Sequence, residues 1–226
     1  MDEAAQSELE LPVARLPRDT LQERVYRQLS DLILDGEIAP GRLVKIQALA
    51  EAFGVSAMPV REALKRLTAA NALTVVSGRS IGIPPLSVER LEDLRKVRIE
   101  IESIAAEWAT TNIDDDGIEA LKSELSKMEA ATAAGDVKGY LRANHAFHFI
   151  VYGAAGSESL LSIIESLWLQ ISPYFNLLHG SGNYSASNAQ HETMLNAIRA
   201  GDKSALRDAV RADINGAYDV LIGLLD

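Results

Sequence analysis

Apolar residues fall at helical spacing early in the chain. Leu21, Val25, Leu29, Leu32 and Ile33 mark one face of a helix that opens near Thr20, a capping residue, and closes at Asp35-Gly36. Ala39-Pro40-Gly41 reads as a turn. A second helix fits Ile46 to Phe53, ended by Gly54, and a third fits Pro59 to Ala70 behind a Ser56 cap, with Pro59 tolerated in its first turn. Two short apolar runs, Leu73–Val76 and Ile81–Ile83, flank Ser77-Gly78-Arg79-Ser80 and read as a hairpin. Helix, helix, tight turn, helix and hairpin is the order of a winged helix-turn-helix. Pro84-Pro85 breaks the pattern, and the rest carries no strand signal. It predicts six helices over 88–111, 114–134, 136–153, 157–178, 185–200 and 202–225, with Asp114, Asp136, Ser157 and Asp202 as caps. The expected fold is mainly α, with a flexible segment 1–19, a winged helix-turn-helix over 20–84 and an all-helical bundle over 86–226.

The inward-facing runs of that bundle are interrupted by groups that resist burial. They read Leu91, Leu94, Arg98, Ile101, Ala105, Trp108; then Val137, Leu141, Asn144, His148, Val151; then Ser187, His191, Leu195, Ile198; then Leu206, Val210, Asp213, Ala217, Val220. Buried polar groups must find partners, so interruptions on four helices point to one shared polar cavity. Asn144 and His148 stand four apart and share a helix face. Two imidazoles, a carboxylate and an amide oxygen suit a divalent transition metal such as Zn, Ni or Mn. A metal-free hydrogen-bonded cluster is the other outcome open at this point. His145 and His179 fall on no inward run and read as structural.

Composition sharpens this picture. Among 226 residues, 47% are hydrophobic and none is cysteine, which excludes disulfides and thiolate metal sites. The net charge of −10 is unevenly spread. Residues 1–11 carry four acids and no base. Residues 12–85 carry ten Lys/Arg against seven Asp/Glu, and residues 86–226 carry twelve against twenty-one. The first part of the chain beyond the acidic start is thus locally basic, which is what phosphate neutralisation requires. No signal-peptide pattern and no apolar run of about 18 residues is present, so a cytoplasmic protein without membrane contact is expected.

The stretch from Leu49 to Leu67 has the spacing of two helices joined by a Gly turn, which DNA-reading proteins use and many proteins that bind no DNA share. Gly54 permits a tight turn, Ser56 starts a helix whose first residues would enter the major groove, and Met58, Arg61 and Lys65 face away from Val60, Leu64 and Leu67. Pro40-Gly41, Leu43, Leu49-Ala50, Gly54-Val55-Ser56 and Pro59-Val60-Arg61-Glu62-Ala63-Leu64 appear in one order. That order resembles the winged helix of the GntR family of transcription regulators. The resemblance implies DNA contacts from Gln47, Ser56, Met58 and Arg61, with Gly78-Arg79 at a wing tip reaching the minor groove. Arg42 and Lys65 are counted with this set. Where relatives place Arg-Thr after Gly-Val-Ser, this chain has Ala57-Met58. A bidentate guanine contact, worth about 1–3 kcal/mol of discrimination, is therefore missing, and the operator cannot be copied from relatives. The alternative for Arg61 is a solvated helix face paired with a neighbouring acid.

Residues 88–225 resemble the FCD effector domain of the FadR subfamily. Asn144-His-Ala-Phe-His148 matches a ligand pair of its metal-binding branch, and Gln190-His191 with Leu195, Ala197-Ile198 and Gly201-Asp202 matches the next ligand motif. The last ligand is usually His, where this chain has Asp213 in Val210-Arg211-Ala212-Asp213. The resemblance implies a metal at Asn144, His148, His191 and Asp213, or a site drifted into a metal-free cluster. Arg98 matches an Arg on the first FCD helix and implies an anionic effector, with a small carboxylate suited to paired guanidinium hydrogen bonds. Internal pairing of Arg98 with Glu102 or Asp213 is the alternative. Tyr174, Asn176 and Ser187 are further pocket candidates. The family also implies a homodimer on a two-fold operator and, more often than activation, repression. Two His and a carboxylate also suit iron oxygenases, but no Ser-His-Asp order, Gly-rich phosphate loop or carboxylate pair supports an enzyme.

Overall fold

The computed structural model describes residues 21–77 and 80–225. The expected segment 1–19, the Thr20 cap and the wing-tip residues Gly78 and Arg79 lie outside the described residues. Helix α1 (Leu21–Leu34) buries Val25, Leu29 and Ile33 against α3 (Ala57–Ala69), which buries Val60, Ala63, Leu64 and Leu67. Between them, α2 (Ile46–Ala52) buries Leu49 and Ala50. Gly54, at φ +65°, makes the tight turn to α3 in a region that disfavours side chains. Ser56 takes the cap position with extended backbone, but its side chain makes no capping hydrogen bond.

The hairpin forms from β2 (Thr74–Ser77) and β3 (Ser80–Gly82), and a strand absent from the sequence reading joins it. Strand β1 (Leu43–Lys45) pairs antiparallel with the other edge of β3, placing Leu43 opposite Gly82 and Val44 opposite Ile81, so the order is β1-β3-β2. Three residues between a Pro-Gly turn and a helix are too short for an alternating pattern to register. Only the edge of β3 reveals the strand.

The bundle comprises α4 (Val88–Ala109), α5 (Asp115–Ala134), α6 (Val137–Gly153), α7 (Glu158–Ile171), α8 (Asn183–Ala200) and α9 (Lys203–Ile222). Its caps are those the sequence marks. Asp114, Asp136, Ser157 and Asp202 accept from the backbone N–H of Gly117, Gly139, Leu160 and Ala205, at 2.9, 3.0, 3.3 and 3.0 Å. Two expectations need correction. The inward line on α4 runs Leu91, Leu94, Arg98, Glu102, Ala105, Ala109, so Trp108 is 48% exposed instead of inward. The reading Leu94, Arg98, Ile101, Ala105, Trp108 follows a 3.5-residue period. An α-helix drifts from that period by about 20° per heptad, which carries the buried line one position onward. The helix expected over 157–178 is α-helical only to Ile171 and continues as a 3₁₀ segment, Ser172–Leu178. Pro173 has no N–H to continue the α-helical ladder.

That 3₁₀ segment and α6 hold the N-terminal half against the bundle. Tyr174 Oη donates to the Pro84 carbonyl at 2.7 Å, and Asn176 Nδ2 donates to the Gly36 carbonyl at 2.8 Å. On α6, Arg142 pairs with Asp35 at 2.7 Å and Lys138 with Glu37 at 2.5 Å. Arg90 adds a bond to the Asn71 carbonyl at 2.8 Å.

Gly36 therefore ends α1 at φ +69° directly beneath the Asn176 carboxamide, which a Cβ would strike. Gly36→Ala is expected to cost at least about 1 kcal/mol through backbone strain alone. In thermal unfolding this should lower the melting temperature by roughly 2–4 °C or more. An unchanged melting temperature would show that Gly36 does not hold this strained, closely packed turn.

Candidate functional site

The interruptions of the inward runs converge. Arg98 (4% exposed), Glu102, His148 and His191 are buried in the bundle core, with Asn144 at its margin. Glu102 sits one helical turn after Arg98 and takes both of its near guanidinium nitrogens. Nε donates to Oε1 at 2.5 Å and Nη2 to Oε2 at 3.2 Å. The Tyr152 hydroxyl donates to Oε2 at 2.6 Å, and the Trp168 indole N–H does so at 3.2 Å. Burial alone would lower the Arg98 pKa, but Glu102 more than reverses this and holds the guanidinium charged. Burial and the Glu102 charge push the Tyr152 phenol far up. The internal pairing weighed for Arg98 is thus present.

The relay continues to His148. With its one proton given to Glu102, the Tyr152 oxygen accepts from His148 Nδ1 at 3.0 Å. The tautomer of His148 that donates from Nδ1 leaves a lone pair on Nε2. That nitrogen lies 3.0 Å from His191 Nε2 and 3.3 Å from Asp213 Oδ2, and His191 Nε2 lies 3.9 Å from Asp213 Oδ1. Burial pushes the His191 imidazole down to about 3, and the Asp213 charge offsets this only in part. Burial would raise Asp213, but His191 and a 2.5 Å hydrogen bond from Ser187 Oγ outweigh it and hold the carboxylate well below its usual range. His191 Nδ1 is buried without a partner.

His148, His191 and Asp213 form a group that could hold a metal ion, their ligand atoms all within 4.8 Å of one another. Donors sharing a first-row cation at about 2.0–2.2 Å stand roughly 3–4 Å apart, as these do. The Tyr152–Glu102 pair fixes the His148 ring from behind, the role outer partners play at metal histidines. Asn144, one turn before His148, lines a small cavity beside them with Tyr140, Tyr184, Ser187 and Asp213. The Tyr140 and Tyr184 rings, both on its lining, stack on each other at 3.8 Å, and the cavity measures about 20 Å³. Such a volume holds one water or one ion.

Of the pocket candidates, Ser187 is on the cavity, bonded to Asp213. Tyr174 and Asn176 spend their polar ends on Pro84 and Gly36, because the 3₁₀ segment turns them toward the DNA-reading half. Sequence reasoning missed Tyr152, Trp168, Tyr140 and Tyr184. Tyr152 carried a usable signal, four residues after His148 on the same face. His145 stacks on Phe149 at 4.1 Å and is pushed down to about 4 by burial, in keeping with a structural role.

On the DNA-reading half, Arg42, Gln47, Ser56, Met58, Arg61 and Lys65 are all exposed. Lys65 pairs with Glu62 at 2.7 Å, whereas Arg61 makes no ion pair among the described residues. Met58 is 63% exposed at the start of α3.

Comparison with known proteins agrees with this geometry. Residues 21–83 match the model of the bacterial regulatory proteins of the gntR family, and residues 93–216 match that of the FCD domain. The HTH-type transcriptional regulator McbR of Escherichia coli is 29% identical over 191 residues, covering 83% of this chain and 86% of McbR. The HTH-type transcriptional regulator LutR of Bacillus subtilis is 29% identical over 221 residues, with 86% and 98% covered. The HTH-type transcriptional repressor GlaR of Escherichia coli is 26% identical over 195 residues, with 82% and 89% covered. The solved structure of Escherichia coli McbR superimposes with a TM-score of 0.85 at 26% identity, covering 92% of this chain and all of that one. No described helix is long and apolar enough to cross a membrane. The chain belongs to the GntR family of bacterial transcription regulators, in the FadR-like branch whose effector domain is an FCD domain, and it is a regulator and not an enzyme.

Proposed function

We propose that this regulator is a repressor that binds a two-fold operator as a homodimer and senses a small carboxylate beside a divalent cation held by His148, His191 and Asp213, with Asn144 completing the set. The observation that carries this reading is the convergence of two imidazole Nε2 atoms and a carboxylate in a buried core. Tyr152, which donates to Glu102, stands 3.0 Å from the other ring nitrogen of His148 and favours the tautomer that leaves Nε2 free for a cation. Such a cation would supply a Lewis-acidic anchor for a carboxylate oxygen. The DNA-reading residues in this reading are Arg42, Gln47, Ser56, Met58, Arg61 and Lys65, together with Gly78 and Arg79, which lie outside the described residues. The repressor sign draws support from similarity to a protein named as a transcriptional repressor.

Charge makes the cation necessary to this scheme. Without it, Arg98, Glu102 and Asp213 leave the core net negative, and a carboxylate would be repelled. A dication makes it net positive. Arg98 can reach the effector only through guanidinium hydrogens that Glu102 leaves unused, so the cation carries most of the preference for an anion.

Space makes movement necessary. A cavity of about 20 Å³ cannot admit a hydroxy acid or dicarboxylate until the Tyr140–Tyr184 stack opens. Tyr140 belongs to α6, which also carries Lys138 and Arg142 on the Glu37 and Asp35 turn. Opening the stack therefore strains the contacts that set the posture of the DNA-reading half. The effector can change operator affinity only by its differential affinity for the two arrangements. A metal-free reading is favoured by one observation: the 3.0 Å Nε2–Nε2 separation also suits a single N–H···N hydrogen bond.

Operator DNA selected from a random pool and titrated by fluorescence anisotropy tests the scheme. A hydroxy acid or dicarboxylate from a panel is expected to weaken binding by about 5–150-fold with Zn, Ni or Mn present, and to lose that effect after chelation. The same effect in chelated protein favours the metal-free reading. Tyr152→Phe should weaken metal binding about 10–100-fold with far-UV circular dichroism unchanged, and unaltered metal affinity would mean that the relay does not orient His148. Arg61→Ala should cost about tenfold or more in operator affinity, while Lys65→Ala should lower the log–log salt slope by about 1. If neither variant changes operator binding, α3 is not the reading helix.

A further inference from the structure

A cleft of about 440 Å³ lies between α1 and the bundle, and its lining includes none of His148, His191 and Asp213. Small-molecule sites occupy about 300–1,000 Å³. One wall is a face of α1 that carries Ser30, Asp31 and Leu34, and the other is built by Phe149 of α6 with Glu165 and Leu169 of α7. Much of the remaining polar lining is already engaged. Arg66 pairs with Glu23 at 2.6 Å and lies over the Tyr26 ring at 3.7 Å, and Arg27 has an interaction of its own. Three groups are left over. Asp31 and Glu165, both exposed, make no hydrogen bond or ion pair among the described residues, and Ser30 Oγ is buried without a partner. Burial and the Asp35 charge raise the Asp31 pKa, and Arg27 offsets this only in part, so this carboxylate is short of positive charge.

We propose that this cleft is a second ligand site, for a small primary amine whose ammonium is shared by Asp31, Glu165 and Ser30 Oγ and whose apolar body lies on Leu34, Phe149 and Leu169. The donor count selects that class. An ammonium brings three N–H donors and no acceptor, and the cleft offers three acceptors that lack donors. Charge agrees. Glu23, Asp31 and Glu165 outnumber Arg27 and Arg66 by one around the cleft, an excess that a monocation balances and an anion would worsen. The apolar wall argues against a bare inorganic cation, which would leave it uncovered. Phe149, backed by the His145 ring at 4.1 Å, presents a flat surface to an organic body. Asp31 belongs to the N-terminal half and Glu165 to the bundle, so a single ammonium held by both ties the halves together. The ligand is of opposite charge to the carboxylate proposed for the His148 cavity, and the two sites stand or fall separately.

Benzylamine is the probe, titrated calorimetrically into the full chain near neutral pH. Benzyl alcohol and benzoate are its neutral and anionic counterparts with the same body. Saturable binding of benzylamine is expected, at least about tenfold tighter than that of either counterpart. Benzyltrimethylammonium, which keeps the charge and loses every N–H, should also bind at least about tenfold more weakly. Asp31→Asn and Glu165→Gln should each weaken benzylamine about tenfold or more. Glu129→Gln, at an exposed position on α5 outside the cleft, is the comparison and should leave the affinity unchanged. None of these carboxylates has an ion pair among the described residues to lose, so circular dichroism should not change. No saturable binding of benzylamine, equal binding of benzyl alcohol or benzoate, or unchanged affinity in both cleft variants overturns the site. Equal binding of benzyltrimethylammonium overturns the match of three donors to three acceptors. Weakening in only one cleft variant overturns the sharing of the ligand between the halves.

Discussion

Glu102 is a carboxylate with no solvent exposure, and its four hydrogen bonds organise the sensing half of this protein. Burying such a charge is strongly unfavourable unless an opposite charge and saturating donors accompany it. Arg98 supplies the charge from the same helix, Tyr152 supplies a donor from α6, and Trp168 supplies one from α7. Satisfying one carboxylate therefore fixes three helices relative to one another. It also consumes the Tyr152 proton, and this makes the tyrosine an acceptor for His148. The tautomer of a histidine in the candidate metal group follows from the electrostatics of a group it does not touch.

Helix α6 links this core to the DNA-reading half. Tyr140, Leu141 and Asn144 line the cavity, and His148 and Tyr152 enter the relay. Lys138 and Arg142 grip the turn after α1. The adjacent 3₁₀ segment does likewise, with Phe175 and Leu178 on the cavity and Tyr174 and Asn176 on Pro84 and Gly36. Under the proposed function, the elements that would move for a ligand to enter are those that hold the DNA-reading half in place, and no separate connecting path is needed.

The parts of this arrangement that local chemistry dictates were legible in the sequence. Four bundle caps stand where Asp or Ser precedes a helical run, and His148, His191 and Asp213 meet because each interrupts an inward face. The motif order from Pro40 to Leu64 identified the winged helix. The rest depended on long-range packing. Strand β1 exists only because β3 offers an edge, and Pro173 redirects Tyr174 and Asn176 by changing the helix type. Trp108 is misplaced by a drift of one position over five turns. Tyr140 reads as an ordinary helix residue and Tyr184 as the end of a loop, until their rings stack.

The account depends most on a cation at the meeting point of His148, His191 and Asp213. Elemental analysis of untagged protein, reconstituted with Zn, Ni or Mn and freed of excess ion, tests that most directly alongside His148→Ala. The account predicts about one bound metal per chain in the wild type and its loss in the variant. Metal-free protein in both cases, with the fold intact, would contradict it and leave the three side chains as a hydrogen-bonded core.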